Sequence, residues 1–157
     1  RDPSSAASDV YKRQGLNSIG GVVLGFRMIQ YAVQLAAGDQ SLQRDGISVY
    51  TAFPGRGAQD AFEYTCRALR DKRYCCDTTL HHPAAQTGQR GQFLFTIRLN
   101  EQSMVMTPAN GLPRKSYFEA DRHSQDSREA ALKWRDEKIN FANTLLSLSP
   151  EECLRVL

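Results

Sequence analysis

The segment that most constrains the fold is Gln92-Phe93-Leu94-Phe95-Thr96-Ile97-Arg98-Leu99. Its bulky and β-branched residues alternate over eight positions, the period-2 mark of a strand. Side chains on a strand point to opposite faces in turn, so Phe93, Phe95, Ile97 and Leu99 share one face and Arg98 takes the other. Arg90 joins the Arg98 face if the strand extends that far back. A strand with one apolar face asks for a sheet with one buried side and one solvent side.

Other segments repeat the pattern. Ile47-Ser48-Val49-Tyr50-Thr51-Ala52-Phe53 alternates in the same way and ends at Pro54-Gly55-Arg56-Gly57. Met28 to Ala36 places Ile29, Tyr31, Val33 and Leu35 at every second position, which predicts a strand. Tyr74–Leu80, Ser103–Thr107 and Lys115–Ala120 supply three shorter strand candidates, the last two separated by a turn region at Pro108, Gly111 and Pro113.

Three helices are predicted. Ala58 to Arg73 carries Ala58, Ala61, Phe62, Thr65, Cys66 and Leu69 on one face, and its C-terminal cations Arg67, Arg70, Lys72 and Arg73 suit the helix dipole. A second helix opens after Asp126 or Ser127, with Glu129 at the capping-box position relative to Asp126. It aligns Ala131, Trp134, Lys138, Phe141 and Leu145. A short third helix opens at Pro150 behind Ser149, with Glu151 and Glu152 in its first turn. Strands grouped before helices argue for an α+β chain, a mainly antiparallel sheet with two or three helices packed on one face.

The chain has 157 residues, of which 41% are hydrophobic and 24% charged, enough to bury a core without staples. No run reaches the roughly 20 apolar residues of a membrane span. The nearest, Leu16 to Ala37, is broken by Asn17, Arg27, Gln30, Gln34 and several glycines. Cys66, Cys75, Cys76 and Cys153 show no disulfide spacing and read as reduced thiols, so we expect a cytoplasmic protein with no membrane partner.

Residues 1–14 resemble translated cloning or sequencing-adapter DNA of the kind found at the front of environmental-library sequences. We therefore expect residues 1–27 to be a non-native or disordered leader, with Met28 the natural start and residues 28–157 one domain. The alternative is a native, poorly ordered arm over residues 15–27. The abrupt end at Leu157 fits a truncated chain.

Candidate chemistry is sparse. Cys75-Cys76 followed by His81-His82 invites a zinc or thiol-enzyme reading, but neighbouring strand residues diverge, while zinc needs four converging ligands. A Cys–His nucleophile needs a lowered thiol pKa that nothing in the spacing enforces. Pro54-Gly55-Arg56-Gly57 lacks the Gly-Lys-Ser/Thr ending of a phosphate-binding loop. We expect no catalytic residue, metal or cofactor, and no enzyme activity.

Lys115-Ser116-Tyr117-Phe118, followed by Ser127-Arg128-Glu129-Ala130-Ala131-Leu132-Lys133-Trp134-Arg135-Asp136-Glu137, resembles the AP2-type DNA-binding module over roughly residues 92–138. This family, related to small sheet-plus-helix modules of integrases, also occurs in bacterial and phage proteins. The linker His123-Ser124-Gln125-Asp126 lacks the family's usual glycine, and the Phe93–Arg98 strand lacks its tryptophan. The resemblance implies a sheet face that reads double-stranded DNA. Arg98, with Arg90 on its face, would then reach a base edge, and Arg114 and Lys115 would hold phosphates. Apart from the resemblance, Arg56 in the Pro54–Gly57 turn would assist with a phosphate. The net charge of +3 permits such contact without demanding it. The other open reading is a protein-interaction or self-associating accessory protein anchored by Tyr50, Tyr117 or Phe118.

Overall fold

The alternation around residue 97 sets the architecture. Phe95, Ile97 and Leu99 are buried, Thr96 is half-buried and Arg98 is exposed. The computed structural model describes residues 18–36, 46–99 and 101–157. Along the chain it forms α1 (Ile19–Ala36), β1 (Ile47–Thr51), α2 (Arg56–Cys66), β2 (Tyr74–Cys76) and β3 (Phe95–Leu99). There follow β4 (Gln102–Pro108), α3 (Lys115–His123), α4 (Arg128–Ser147), α5 (Pro150–Cys153) and β5 (Leu154–Val156).

The fold is α+β. Five strands form one sheet in the order β2-β1-β3-β4-β5. β1 and β2 run parallel, joined by the crossover through α2, and every other pairing is antiparallel. Register stacks the apolar positions in rows across the sheet. Ile97 lies between Val49 and Met104, Leu99 opposite Ile47, and Phe95 between Thr51 and Met106. These rows meet the helices in one continuous core that includes Leu24, Met28, Phe62, Phe93, Phe141 and Leu145. The helices cover this face of the sheet alone, as the alternating strands require.

The Met28–Ala36 strand is corrected to helix, and α1 runs through Met28 without a break. Val22, Val23, Leu24 and Phe26, expected to belong to a leader, are buried. α1 packs against α2 and α4 as well as the sheet, so its buried residues surround most of its circumference and show no clear period. Gly25 allows the closest approach: a Cβ there would stand 2.6 Å from the Ala61 Cβ of α2. By length and composition α1 is the one described helix able to span a bilayer, and half of it is buried within the fold. Arg27 ties it to α4, donating to the carbonyls of Leu145 and Leu146 at 3.1 Å each and so satisfying acceptors at that helix end. Residues 1–17, which include the adapter-like segment, lie outside the described residues.

Three other boundaries move. α2 stops at Cys66 because Arg67 turns into the left-handed region (φ 54°), instead of continuing to Arg73. β2 ends at Cys76, where Asp77 folds its carboxylate onto the Thr79 amide at 2.9 Å and starts a turn. Lys115–Ala120 is helical, as part of α3, with Tyr117 and Ala120 buried one turn apart. Spacing of three, not two, is the apolar period there. β5 is an added edge strand with no expectation behind it. Ser127, one of the two expected caps, accepts from the Ala130 amide at 3.0 Å, which moves Glu129 out of the capping-box position it held relative to Asp126. Ser149 caps α5 as expected and forms a capping box with Glu152.

Candidate functional site

The side of the sheet away from the helices carries the strands' exposed and half-buried positions. Ser48 and Tyr50 from β1, Thr96 and Arg98 from β3, and Ser103 and Val105 from β4 all point there, each opposite the buried residues beside it. Register arranges them in two rows. Arg98 lies between Ser48 and Ser103, and Thr96 lies between Tyr50 and Val105. Cys75 of β2 continues the second row beyond Tyr50.

One end of this face is closed. The segment between β2 and β3 folds over it, and Ala85 and Leu94 pack with Ala52 and the partly buried Val105. Gln92 holds the segment in place. Its carbonyl accepts from the His82 amide at 2.8 Å, and its amide group donates to the His82 and Ala85 carbonyls and the Thr87 hydroxyl, each at 3.2 Å. Gln92 is buried, and its bond to the Ala85 carbonyl sits away from water, while the other three are partly buried. No sequence signal distinguishes this glutamine from an ordinary solvent-facing strand residue.

The opposite end is basic among the described residues. Residues 67–73, between α2 and β2, abut the start of β1. The Val49 amide donates to the Arg73 carbonyl at 2.8 Å, and the Arg73 guanidinium bonds the Ile47 carbonyl and, at 2.6 Å, the Cys66 carbonyl. Arg73 therefore serves as a clasp between the end of α2 and the start of β1. It also pairs with Asp71 at 3.3 Å. Arg67, Arg70 and Lys72 are exposed, and both Arg67 and Lys72 hold left-handed backbone (φ 54° and 59°). Such conformations cost non-glycine residues free energy and are uncommon. Arg98, near the C-terminal end of β3, belongs to this same end of the sheet because β1 and β3 are antiparallel. Among the described residues, five cations thus share the end with three carboxylates, Glu63, Asp71 and Glu101. Glu63 is engaged by the Arg70 amide at 2.9 Å.

The five expected phosphate or base contacts do not form one stripe. Arg98 stands on the open face. Arg56 begins α2 beyond the far end of β1, and Arg90 sits at the tip of the loop that closes the face. There Arg90 and Lys138 flank Asp121 and counter part of the upward push that burial gives its carboxyl pKa. Arg114 caps α3 in extended conformation and makes a two-pronged ion pair with Glu137 of α4, with both bonds at 3.0 Å. This pair holds the Glu137 carboxyl below its usual range. Lys115 opens α3, strongly exposed and 3.9 Å from Glu119. The basic-aromatic segment 115–118 thus lies on the helix side, where Tyr117 is buried against Trp134 with centroids 4.7 Å apart. Of the aromatic anchors considered, Tyr50 is the one that is widely exposed, at 51%.

The thiol and imidazole groups are dispersed. Cys75 and Cys76 are exposed on the edge strand, while Cys66 and Cys153 are buried. Burial pushes the Cys66 thiol up, and Cys153 is pushed up to about 11. His82 uses its Nδ1 to accept the Ala84 amide at 3.1 Å, closing a local turn. Among the described residues, no three His, Cys, Asp or Glu side chains gather as a metal site. An open cleft between α3 and α4 is lined by Glu119, Arg122, His123, Ser127, Glu129 and Lys133. Its charges alternate in sign, and its His123–Asp126 pair, at 2.9 Å, is solvent-exposed on both sides.

No protein-family model matches the chain, and a search of curated proteins gives no significant match.

Proposed function

We propose that this is a non-enzymatic nucleic-acid-binding protein whose ligand lies along the uncovered face of the sheet. The observation that carries the reading is the meeting of two features at one place: a solvent-facing row Ser48–Arg98–Ser103 and the basic turn 67–73 at its end. Exposed guanidinium groups bind phosphate through paired N–H donors, and flanking hydroxyls add neutral hydrogen bonds. Two residues in costly left-handed backbone are both cations, Arg67 and Lys72, which hold their side chains out from a tightly bonded turn. The dispersed thiols and imidazoles offer no competing catalytic constellation.

Fluorescence anisotropy with labelled oligonucleotides, repeated across a salt series, tests the reading. Phosphate neutralisation makes log K fall linearly with log salt, and each lost phosphate contact lowers that slope by about 0.7–0.9. Arg98→Ala and the double change Arg67→Ala with Lys72→Ala should each flatten the slope, while Lys115→Ala on the helix side should leave it unchanged. Salt-independent binding, or none at low salt, contradicts the proposal. In that case, concentration-dependent mass favours the protein-interaction reading.

A further inference from the structure

We infer that the open face takes a single-stranded polynucleotide, with one base stacked on the ring of Tyr50; this rests on the nucleic-acid reading above. Tyr50 is half-exposed in the middle of β1, and its cross-strand neighbours on that face are Thr96 on one side and Cys75 on the other. Both are small, so neither screens the ring. Arg98 is the diagonal neighbour of Tyr50, two positions along β3 from Thr96. Diagonal pairs stand about 7–8 Å apart, within the span of a nucleotide's base and phosphate for long side chains. The remaining aromatic contacts gather on the helix side, where Phe93 packs with Phe53, Tyr117, Phe118 and Phe141. Among the described residues, Tyr50 is the aromatic residue this face presents to solvent.

Dimensions favour a single strand over a duplex. Strands lie about 4.8 Å apart, so five of them span roughly 19 Å between the outer strand axes. The B-DNA major groove is about 12 Å wide and admits a helix or a two-stranded ribbon. The segment folded over the far end of the face further limits what lies flat there. A single strand has unstacked bases and follows a groove or row of cations, and stacking on an aromatic ring is available to every base. Positive charge stands on the neighbouring row, through Arg98 within it and Arg67, Arg70 and Lys72 at its end. Single-stranded DNA and RNA share this chemistry.

The test compares short fluorescein-labelled oligothymidylate, oligouridylate and a mixed-sequence DNA duplex, using the full chain and its Tyr50→Ala and Tyr50→Phe variants. Circular dichroism checks that both variants fold. At least one single strand should bind on the order of ten-fold more tightly than the duplex. Tyr50→Ala should weaken that binding by about ten-fold, the loss of one stacked base, and Tyr50→Phe should retain most of it. The preferred strand identifies DNA or RNA as the source. Duplex binding as tight as single-strand binding, or no effect of Tyr50→Ala in a folded protein, overturns this inference while leaving the nucleic-acid reading in place. Failure of all three probes to bind at low salt overturns both.

Discussion

The two faces of this sheet are built from the same strands and do opposite work. On one, Ile47, Val49, Phe95, Ile97, Leu99, Met104 and Met106 are all buried under helices. On the other, the residues between them are Ser48, Tyr50, Thr96, Arg98, Ser103 and Val105. Because strand side chains alternate, a change at one position falls on one face and spares the other. Stability should therefore respond to the first set and binding to the second.

The largest effect is expected on the covered face. Phe93 is buried against four aromatic rings, and Phe93→Ala should cost about 3–5 kcal/mol in urea unfolding. A loss below about 1 kcal/mol would mean that the ring cluster is not the core it looks to be. Next comes Gln92→Ala, which leaves the His82 amide and three acceptors short of a partner; about 1–3 kcal/mol is expected. Proteolysis between β2 and β3 should speed up as well, because this glutamine ties residues 82–87 back onto the chain that enters β3.

Alkaline pH probes the covered face without mutation. Burial keeps the Cys153 thiol protonated, raising its pKa from 9.0 up to about 11. The unfolded chain releases this proton first, so stability should fall as pH climbs from about 9 through about 11. Cys66, Tyr74 and Tyr117, all shifted upward mainly by burial, push in the same direction. Unfolding midpoints measured between pH 8 and pH 11 check this; a flat profile would contradict burial of these groups. The smallest effect on stability belongs to Arg98→Ala, within about 0.5 kcal/mol, although it should weaken nucleic-acid binding. A large stability loss there would erase the division between the faces.

How far sequence reasoning reached also differs between the faces. Strict alternation in β1 and β3 made their buried and exposed residues readable directly, including the outward position of Arg98. α1 was hidden because glycines and buried residues spread around most of its circumference blurred the amphipathic signal, leaving only a chance alternation of Ile29, Tyr31, Val33 and Leu35. Lys115–Ala120 misled for a related reason: in so short a run, Tyr117 and Phe118 fit a strand, and only the Tyr117–Ala120 spacing betrays a helix. Four of the five cations of the basic end were visible as composition and not as place. Arg67, Arg70, Lys72 and Arg73 read as complements to a helix dipole, and no glycine marks the two left-handed positions that end α2 and turn the chain. Their meeting with Arg98 depends on the parallel pairing of β1 with β2 and the antiparallel pairing of β1 with β3, which are long-range facts.

Amide chemical-shift mapping with an unlabelled single-stranded oligonucleotide tests the central claim most directly. Shifts are expected at Ser48, Tyr50, Thr96, Arg98 and Ser103 and in residues 67–73, with those of α4 left in place. Shifts concentrated on α3 and α4 around Lys115, Arg122 and Lys133, with the sheet residues unmoved, would contradict it.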